Sequence, residues 1–437
     1  MLTKDDNQLI TSVGPGTPTG DLFRQYWIPF LLSSELPEPD CAPQRMRLLG
    51  EDLIAYRDTS GRVGMVANAC PHRGASMFFG RNEEDGLRCV YHGWKFDLSG
   101  ACTDMPNEPA ESNFKHKIRI AAYPCAEVNG VVWTYMGPRR QPPPMPQLSW
   151  TLVPEENTCA TKITEDCNWL QVLEGDLDTA HADYLHFVAE GAGGPTGGPL
   201  PMHEGGRWAL DLAPASVDLL FTEFGFTKAA RREASNNRYH YRIYQYLAPF
   251  YVLLPAGGDG VSYRAAVPMD DTHTMFWNGK YSPTRPMTDD ERRRPGTSGY
   301  CEYLPFTTDV FGKWRYATTA ENNYLLDYEA QRSKKLFSGI PPVKPQDIAM
   351  TESMGPINDR TKEHLGTTDA AIIQMRRCVM NAAKALRTGG VIPPGVDHPE
   401  VYAVHSATAM LPREVDWIAA TREKLVASPG QAVASAY

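Results

Sequence analysis

Residues 69 to 97 read ACPHRGASMFFGRNEEDGLRCVYHGWKFD, and within them Cys70, His72, Cys89 and His92 set out C-x-H-x16-C-x2-H. Thiolates and imidazoles are both good metal donors, and two short loops that each offer one of each can grip one inorganic centre between them. Two readings compete. A structural zinc suits a mixed Cys/His set, although zinc sites usually space their pairs as C-x2-C and H-x3–5-H. A [2Fe–2S] centre with two thiolates on one iron and two imidazoles on the other suits one Cys and one His per loop. Ligand type, spacing and strand-rich surroundings favour the iron–sulfur reading. Gly74 and Gly93 follow the histidines by one or two positions, where backbone must pass a bulky centre. Trp94 is placed to shield it.

A second constellation lies in EGDLDTAHADYLH, residues 174 to 186, where Asp178, His181 and His186 give D-x2-H-x4-H. Two imidazoles and a distant carboxylate make the facial triad of a mononuclear non-haem iron(II), which keeps positions open for O2 and a substrate. Two histidines on a helix are also often ordinary polar residues. A one-electron centre upstream gives them a redox purpose. Residues five apart on an ideal helix point about 140° apart. Reaching one ion therefore requires local unwinding or a π-bulge near Ala182 to Leu185. For the carboxylate, Asp327, Asp347 and Asp359 are all candidates. Asp347 follows Pro345 closely and equally suits an aspartate at a helix start.

The elements that must position these residues fall into two blocks. Residues 45 to 136 predict short strands, with hairpin turns at Asp58-Thr59-Ser60-Gly61 and Ser99-Gly100 and a further strand in GVVWTYMG, 130 to 137. GPRRQPPPMPQ, 137 to 147, is too rich in proline to continue a ladder and predicts a domain boundary. Residues 166 to 188 read as helical, weakened at Gly175. The Gly/Pro run 190 to 206 reads as a loop, either a lid over a site or a plain connection. YHYRIYQYLAPFYVLLP and TMFWNGKYS predict strands, and helical patterns return from about 308. The clearest of them is 367 to 390, with Thr368 and Asp369 at its start and Arg387 and Gly389 at its end.

The totals exclude several classes. The chain has 437 residues, enough for two or three domains, and 42% apolar and 22% charged residues, ordinary for a globular enzyme. A net charge of -9 argues against a nucleic-acid partner. No stretch offers ~18 consecutive apolar residues, so no membrane span is expected. MLTKDDNQLITSVGPG lacks the apolar core of a signal peptide, which predicts a cytoplasmic protein. Cys41, Cys125, Cys159, Cys301 and Cys378 are scattered singly, as reduced thiols would be. No G-x-G-x-x-G fingerprint appears, so NAD(P)H chemistry belongs to a partner.

CPHRGA and CVYHGWKFD resemble the Rieske domains of ring-hydroxylating oxygenases. Respiratory Rieske proteins carry an extra cysteine in each loop, whereas Ala75 and Tyr91 stand there in this chain. CNWLQVLEGDLDTAHADYLH resembles the catalytic domain of the same oxygenases, and residues 346 to 357 resemble a stretch of phthalate-dioxygenase-like enzymes in which the aspartate is an iron ligand. The resemblance to the phthalate 4,5-dioxygenase group extends through residues 14 to 40, 131 to 138 and 359 to 369, nearly the whole chain.

It implies an α+β chain: residues 1–44 as an N-terminal segment packing on the catalytic domain, an all-β Rieske domain at 45–140, and a catalytic domain at 150–437. The catalytic domain is expected to be of helix-grip type, an antiparallel sheet surrounded by helices. It implies a [2Fe–2S] cluster on Cys70, His72, Cys89 and His92, and a mononuclear iron on His181, His186 and Asp347. Asp178 is then the bridge from His181 to His92 of a neighbouring subunit, in a homotrimer or stacked trimers. A separate flavin and iron–sulfur reductase supplies electrons from NAD(P)H, and the substrates are O2 and a small aromatic carboxylate, phthalate- or benzoate-like, cis-dihydroxylated on the ring. A guanidinium would hold that carboxylate, with Arg207, Arg231, Arg232 and Arg242 as candidates. Two alternatives stand beside this reading: a monooxygenase or O-demethylase acting on a methoxylated aromatic, and a Rieske electron-transfer protein without oxygenase activity.

Overall fold

The structure is a computed structural model that describes residues 1–109, 111–186, 216–234, 236–255, 261–293, 301–333, 335–341 and 343–427. The first block is built of short antiparallel strands, as the turn signals require. One four-stranded sheet runs Gln44–Leu48, Glu51–Arg57, Val63–Ala67 and Ala122–Tyr123 in spatial order. A second runs Arg81–Glu83, Gly86–Arg88, Lys95–Phe96 and Cys102–Asp104. Between them Ile54, Tyr56, Val66, Met77, Leu87, Trp94 and Phe96 are buried together. The turn at 58–61 closes on Asp58, whose carboxylate takes the Arg62 amide at 2.8 Å.

The strand Trp27–Leu32 pairs with Val131–Tyr135, which also pairs with Cys125–Val128. The proline run after it carries no strand. It lies against other elements: the Trp27 indole donates to the Pro143 carbonyl at 2.8 Å, and the Gln147 amide to Pro399 at 3.0 Å.

The second block centres on an eight-stranded antiparallel sheet. Its path is Thr158–Glu165, Thr274–Tyr281, Val261–Pro268, Tyr251–Pro255, Arg238–Leu247, Gly225–Ala234 and Ser216–Thr222, with Ala407–Pro412 pairing the first part of Arg238–Leu247. Against it packs the helix Trp169–Leu177. Leu170, Leu173 and Leu177 recur at helical spacing and are fully buried, each contributing about 1.5–3 kcal/mol. Trp169 adds an edge contact to Phe23, ring centroids 4.9 Å apart.

Asn168 caps that helix by accepting from the Leu170 amide at 3.2 Å, and its amide group donates to Thr11 at 2.9 Å and Asp271 at 2.7 Å. One capping side chain thus ties the helix to the N-terminal segment. The helices Lys4–Thr11 and Pro18–Phe23 pack in turn on the long helix Ala370–Gly389. Two details of that long helix differ from expectation. Asp369 turns its carboxylate back to the Gly366 amide at 2.6 Å and does not cap the helix, and the left-handed residue that ends it is Gly390. Gly389 is still helical.

The helix expected over 166 to 188 is confined to Trp169–Leu177. The reason is local. Asp178 takes the Ala180 amide at 2.7 Å and the His181 amide at 3.3 Å, a side-chain turn that competes with helix continuation. Gly175 has open space beside its Cα, and no close approach explains it.

Candidate functional site: two metal-ligand clusters

The two cysteine loops are built alike. The Cys70 carbonyl accepts from the Gly74 amide at 2.8 Å and the Cys70 amide donates to Ala75 at 2.8 Å. The Cys89 carbonyl accepts from Gly93 at 2.9 Å and the Cys89 amide donates to Trp94 at 2.9 Å. Each loop closes through a glycine in the left-handed region, φ +78° at Gly74 and +81° at Gly93, so glycine is required by the turn itself. The loops bring the His72 and His92 rings to 4.3 Å between centroids. Trp94 stacks on His72 at 4.4 Å and is anchored by its indole donating to Asn107 at 2.7 Å.

These residues fit an iron–sulfur cluster. Cys70 and Cys89 are buried free thiols. Burial pushes the Cys70 thiol up to about 11, with Cys89 adding to the effect, so a thiolate there needs a cation beside it. His72 Nδ1 is buried without a hydrogen-bond partner, a lone pair left for a metal.

In the second block the segment after Leu177 unwinds. His181–Asp183 form a 3-10 turn, and the His181 carbonyl accepts from both Tyr184 at 3.0 Å and Leu185 at 2.8 Å. The irregularity expected at 182–185 is thus an unwound turn and not a π-bulge. It swings the two imidazoles together, with Nε2 of His181 3.2 Å from Nε2 of His186. Asp347, from the helix Val343–Ser353, brings Oδ1 to 3.2 Å from His186 Nε2 and 3.7 Å from His181 Nε2. Cis ligands about 2.1 Å from one ion lie roughly 3 Å apart, so this triangle fits one face of a metal site. Among the described residues it is the one group of three such side chains whose donor atoms all lie within 4.8 Å.

The other candidates lie elsewhere. Asp327 caps Tyr328–Arg332 by accepting from Glu329 and Ala330, and Asp359 is engaged with Thr361 and Lys362.

Both imidazoles are held through their far nitrogen. Asp178 Oδ2 lies 3.4 Å from His181 Nδ1. His186 Nδ1 lies 2.6 Å from Gln346 Oε1. The orientation of Gln346 is set by its amide group donating to Ile340 at 2.6 Å, which leaves its oxygen for the histidine. Nδ1 must then be the donor on both rings, and both Nε2 lone pairs face Asp347. Gln346 was missed in the sequence, although it sits next to Asp347. A glutamine beside a ligand on a helix carries no spacing signal.

Burial alone would raise Asp347, but His186, Lys344 and His181 hold its carboxyl well below the usual range. Burial lowers His181, and the hydrogen bond to Asp178 and the charge of Asp347 outweigh it, raising the group overall. Asp178, His181, His186, Lys344 and Asp347 thus share one buried charge balance.

Of the arginine candidates, Arg231 lies over the Tyr239 ring at 4.6 Å, and Arg232 pairs with Asp183. Arg242 stands opposite Ala230 and two residues from Tyr244, which is opposite Lys228, so it shares the sheet face that carries the site. Its guanidinium engages the Tyr244 ring at 5.4 Å, and its Nε is buried with no partner. Arg207 and the loop 190 to 206 lie outside the described residues.

A Rieske [2Fe-2S] domain model matches residues 26–124, and a model described as LigXa C-terminal domain like matches 134–436. The 3-chlorobenzoate-3,4-dioxygenase oxygenase subunit of Comamonas testosteroni is 40% identical, over 97% of this chain and 98% of that protein. The chain belongs to the Rieske non-haem iron oxygenases. As a member it is a terminal oxygenase with a Rieske cluster, and oxygenases of this family hold a mononuclear iron in the catalytic domain. Other relatives of this Rieske oxygenase are the phthalate 4,5-dioxygenase oxygenase subunit of Pseudomonas putida, 35% identical over 95% of the chain and 94% of that protein, and the 5,5'-dehydrodivanillate O-demethylase oxygenase subunit of Sphingobium sp., 32% identical over 89% and 82%. The terminal oxygenase of carbazole 1,9a-dioxygenase from Nocardioides aromaticivorans shares the fold, with TM-score 0.57 and 16% identity over 88% of this chain and 98% of that one. No described helix of this oxygenase is long and apolar enough to cross a membrane.

Proposed function

We propose that this Rieske oxygenase cis-dihydroxylates the ring of a small aromatic carboxylate, phthalate- or benzoate-like. Cys70, His72, Cys89 and His92 hold the cluster in this reading, and His181, His186 and Asp347 hold the iron. The observation that carries it is the triangle of two Nε2 atoms and one carboxylate oxygen with edges of 3.2, 3.2 and 3.7 Å, both imidazoles already held from behind. A chain serving only as an electron carrier has no use for such a triangle.

When bound, the cluster supplies single electrons and the ferrous ion supplies the site at which O2 is activated. The chain does the rest. Asp178 and Gln346 fix the two imidazole tautomers. Arg242, with no carboxylate partner among the described residues, is placed to hold the substrate's carboxylate against the sheet face beside the site. The names of the 3-chlorobenzoate and phthalate relatives support that substrate class. O-demethylation of a methoxylated aromatic is the second reading, favoured by the dehydrodivanillate relative.

Electrons reach this oxygenase from a separate flavin and iron–sulfur reductase. A complex of oxygenase with ferredoxin in carbazole 1,9a-dioxygenase supports an external donor. Within the assembly, His92 of one copy meets Asp178 of the next in a head-to-tail homotrimer, single or stacked. Two exposed aromatic surfaces support this: Tyr91, 57% exposed beside His92, and Tyr184, 52% exposed between the two site histidines and packed on Phe337. The division into 1–44, 45–140 and 150–437 and a cytoplasmic location complete the proposal.

The test is product analysis with a compatible reductase, NADH and a panel of phthalates, benzoates and methoxybenzoates. About three irons per chain and a cis-diol from a carboxylated ring are expected. Formaldehyde release would favour the O-demethylase, and O2 uptake independent of every panel member would sink the substrate class.

A further inference from the structure

Beneath the turn that carries Asp178 lies a buried lysine which the reaction as described does not use. Lys228, on the strand Gly225–Ala234, has no exposed surface. Its ammonium donates to the Leu177 carbonyl and to Thr179 Oγ1, the latter at 3.2 Å, and lies 5.2 Å from the Tyr244 ring. It makes no ion pair among the described residues. A buried ammonium without a carboxylate partner is costly, and a methionine would fill the same space without that cost. The groups that compensate it are those on either side of Asp178.

The same strand face grips the turn a second time. Four residues on, Arg232 pairs with Asp183, which lies between the two site histidines. Side chains at 228 and 232 point to one face of a strand. The segment 177–183 is therefore held at its start and near its end by cations from one rigid strand, with Asp178 and His181 between them.

We propose that Lys228 is a positioning residue for Asp178: by holding the main chain and the hydroxyl on either side of it, Lys228 keeps the Asp178 carboxylate turned toward His181. The proposal rests on the reading of Asp178 as the bridge between subunits. The carboxylate has two tasks inside the turn, accepting from the Ala180 and His181 amides and from His181 Nδ1, and each depends on the backbone direction at 177–179. Burial pushes the Lys228 ammonium down to about 7, while the nearby Asp178 charge acts the other way, which sets the two groups within electrostatic reach.

The experiment compares Lys228→Met, Thr179→Val, Asp178→Asn and the Lys228→Met/Asp178→Asn double variant in the full chain. The first readout is amide hydrogen exchange in iron-free protein. Lys228→Met is expected to speed exchange at Ala180 and His181 by roughly tenfold, with the strand Val261–Pro268 unchanged. The second is reoxidation of a pre-reduced cluster by O2 and a benzoate, followed by its visible absorbance. Lys228→Met should slow it by about tenfold or more, and the double variant should be no slower than Asp178→Asn alone, because both losses act through one group.

Unchanged exchange at Ala180 and His181, or multiplied losses in the double variant, would overturn the proposal. If Lys228→Met does not fold, Thr179→Val decides: exchange about twofold to threefold faster at the same amides supports the proposal, and no change overturns it. If Asp178→Asn itself leaves reoxidation unchanged, the bridge reading fails and takes the electron-transfer role of Lys228 with it. If Asp178→Asn slows reoxidation and Lys228→Met does not, the proposal alone fails.

Discussion

The two proposed metal-ligand clusters of this oxygenase are made in opposite ways. The cysteine loops are self-contained, each closing within six residues through the same pair of backbone hydrogen bonds. The histidine–aspartate triangle joins two histidines to an aspartate 161 and 166 positions further along the chain and leans on Gln346, Lys228 and Arg232 as well. A local site depends on its own turn, whereas a distributed site depends on everything that fixes its parts. Damage should therefore stay confined in the first case and spread from many positions in the second.

The sharpest way to break that contrast is to empty each site in turn. His186→Ala should abolish substrate-dependent O2 uptake and lower iron from about three to about two per chain, with the visible spectrum of the cluster intact. Cys89→Ser should do the reverse, removing the cluster colour and leaving about one iron per chain. A single substitution that empties both sites would show that they fold as one unit. Asp178→Asn comes next: both metals are retained, and cluster reoxidation slows about 10–100-fold in rapid mixing. Loss of iron in that variant would reassign Asp178 from bridge to structural support.

Gln346→Leu tests how far the second site extends beyond its ligands. The His186 tautomer is no longer held, and affinity for ferrous ion should fall about 10–100-fold in a metal titration. A full-affinity variant would mean that Ala182 to Leu185 alone set the ring. The effect at Arg242→Gln is expected to be the narrowest, confined to substrate binding. Loss of a charged hydrogen bond of about 1.5–3 kcal/mol should raise KM for a benzoate by roughly 10–100-fold, with little change for a neutral analogue. Equal effects on both would remove Arg242 from substrate recognition.

The same contrast explains what could be read in advance. The cysteine loops were legible because ligand identity, ligand spacing and turn glycines all lie within 25 residues of sequence. His181 and His186 were legible as a pair, and the angular mismatch of a five-residue step pointed to unwinding or a π-bulge, of which the structure shows the first. Helix length was not legible, because Asp178 ends it with a side-chain hydrogen bond that periodicity does not register. Asp347 could not be chosen over Asp327 and Asp359 by spacing, and resemblance alone singled it out. Lys228 reads in sequence as an ordinary strand residue, and it is buried where the turn at 177–179 lies over it. The arginines show the same limit: four were equivalent as letters, and alternation on the sheet separates Arg242 from Arg231.

The stitching of the N-terminal helix carries a consequence for how the chain matures. Lys4–Thr11 rests on Ala370–Gly389, and Leu2 and Asn7 bond the backbone at Arg360 and Asn358. During synthesis at ~5–20 residues per second, those first turns emerge roughly 20–70 seconds before their seat exists. Until then the faces of Lys4–Thr11 and Pro18–Phe23 that pack on that long helix are uncovered. Newly made chains therefore spend that interval with apolar surface exposed to aggregation, so chaperone supply and expression temperature should affect the yield of folded enzyme.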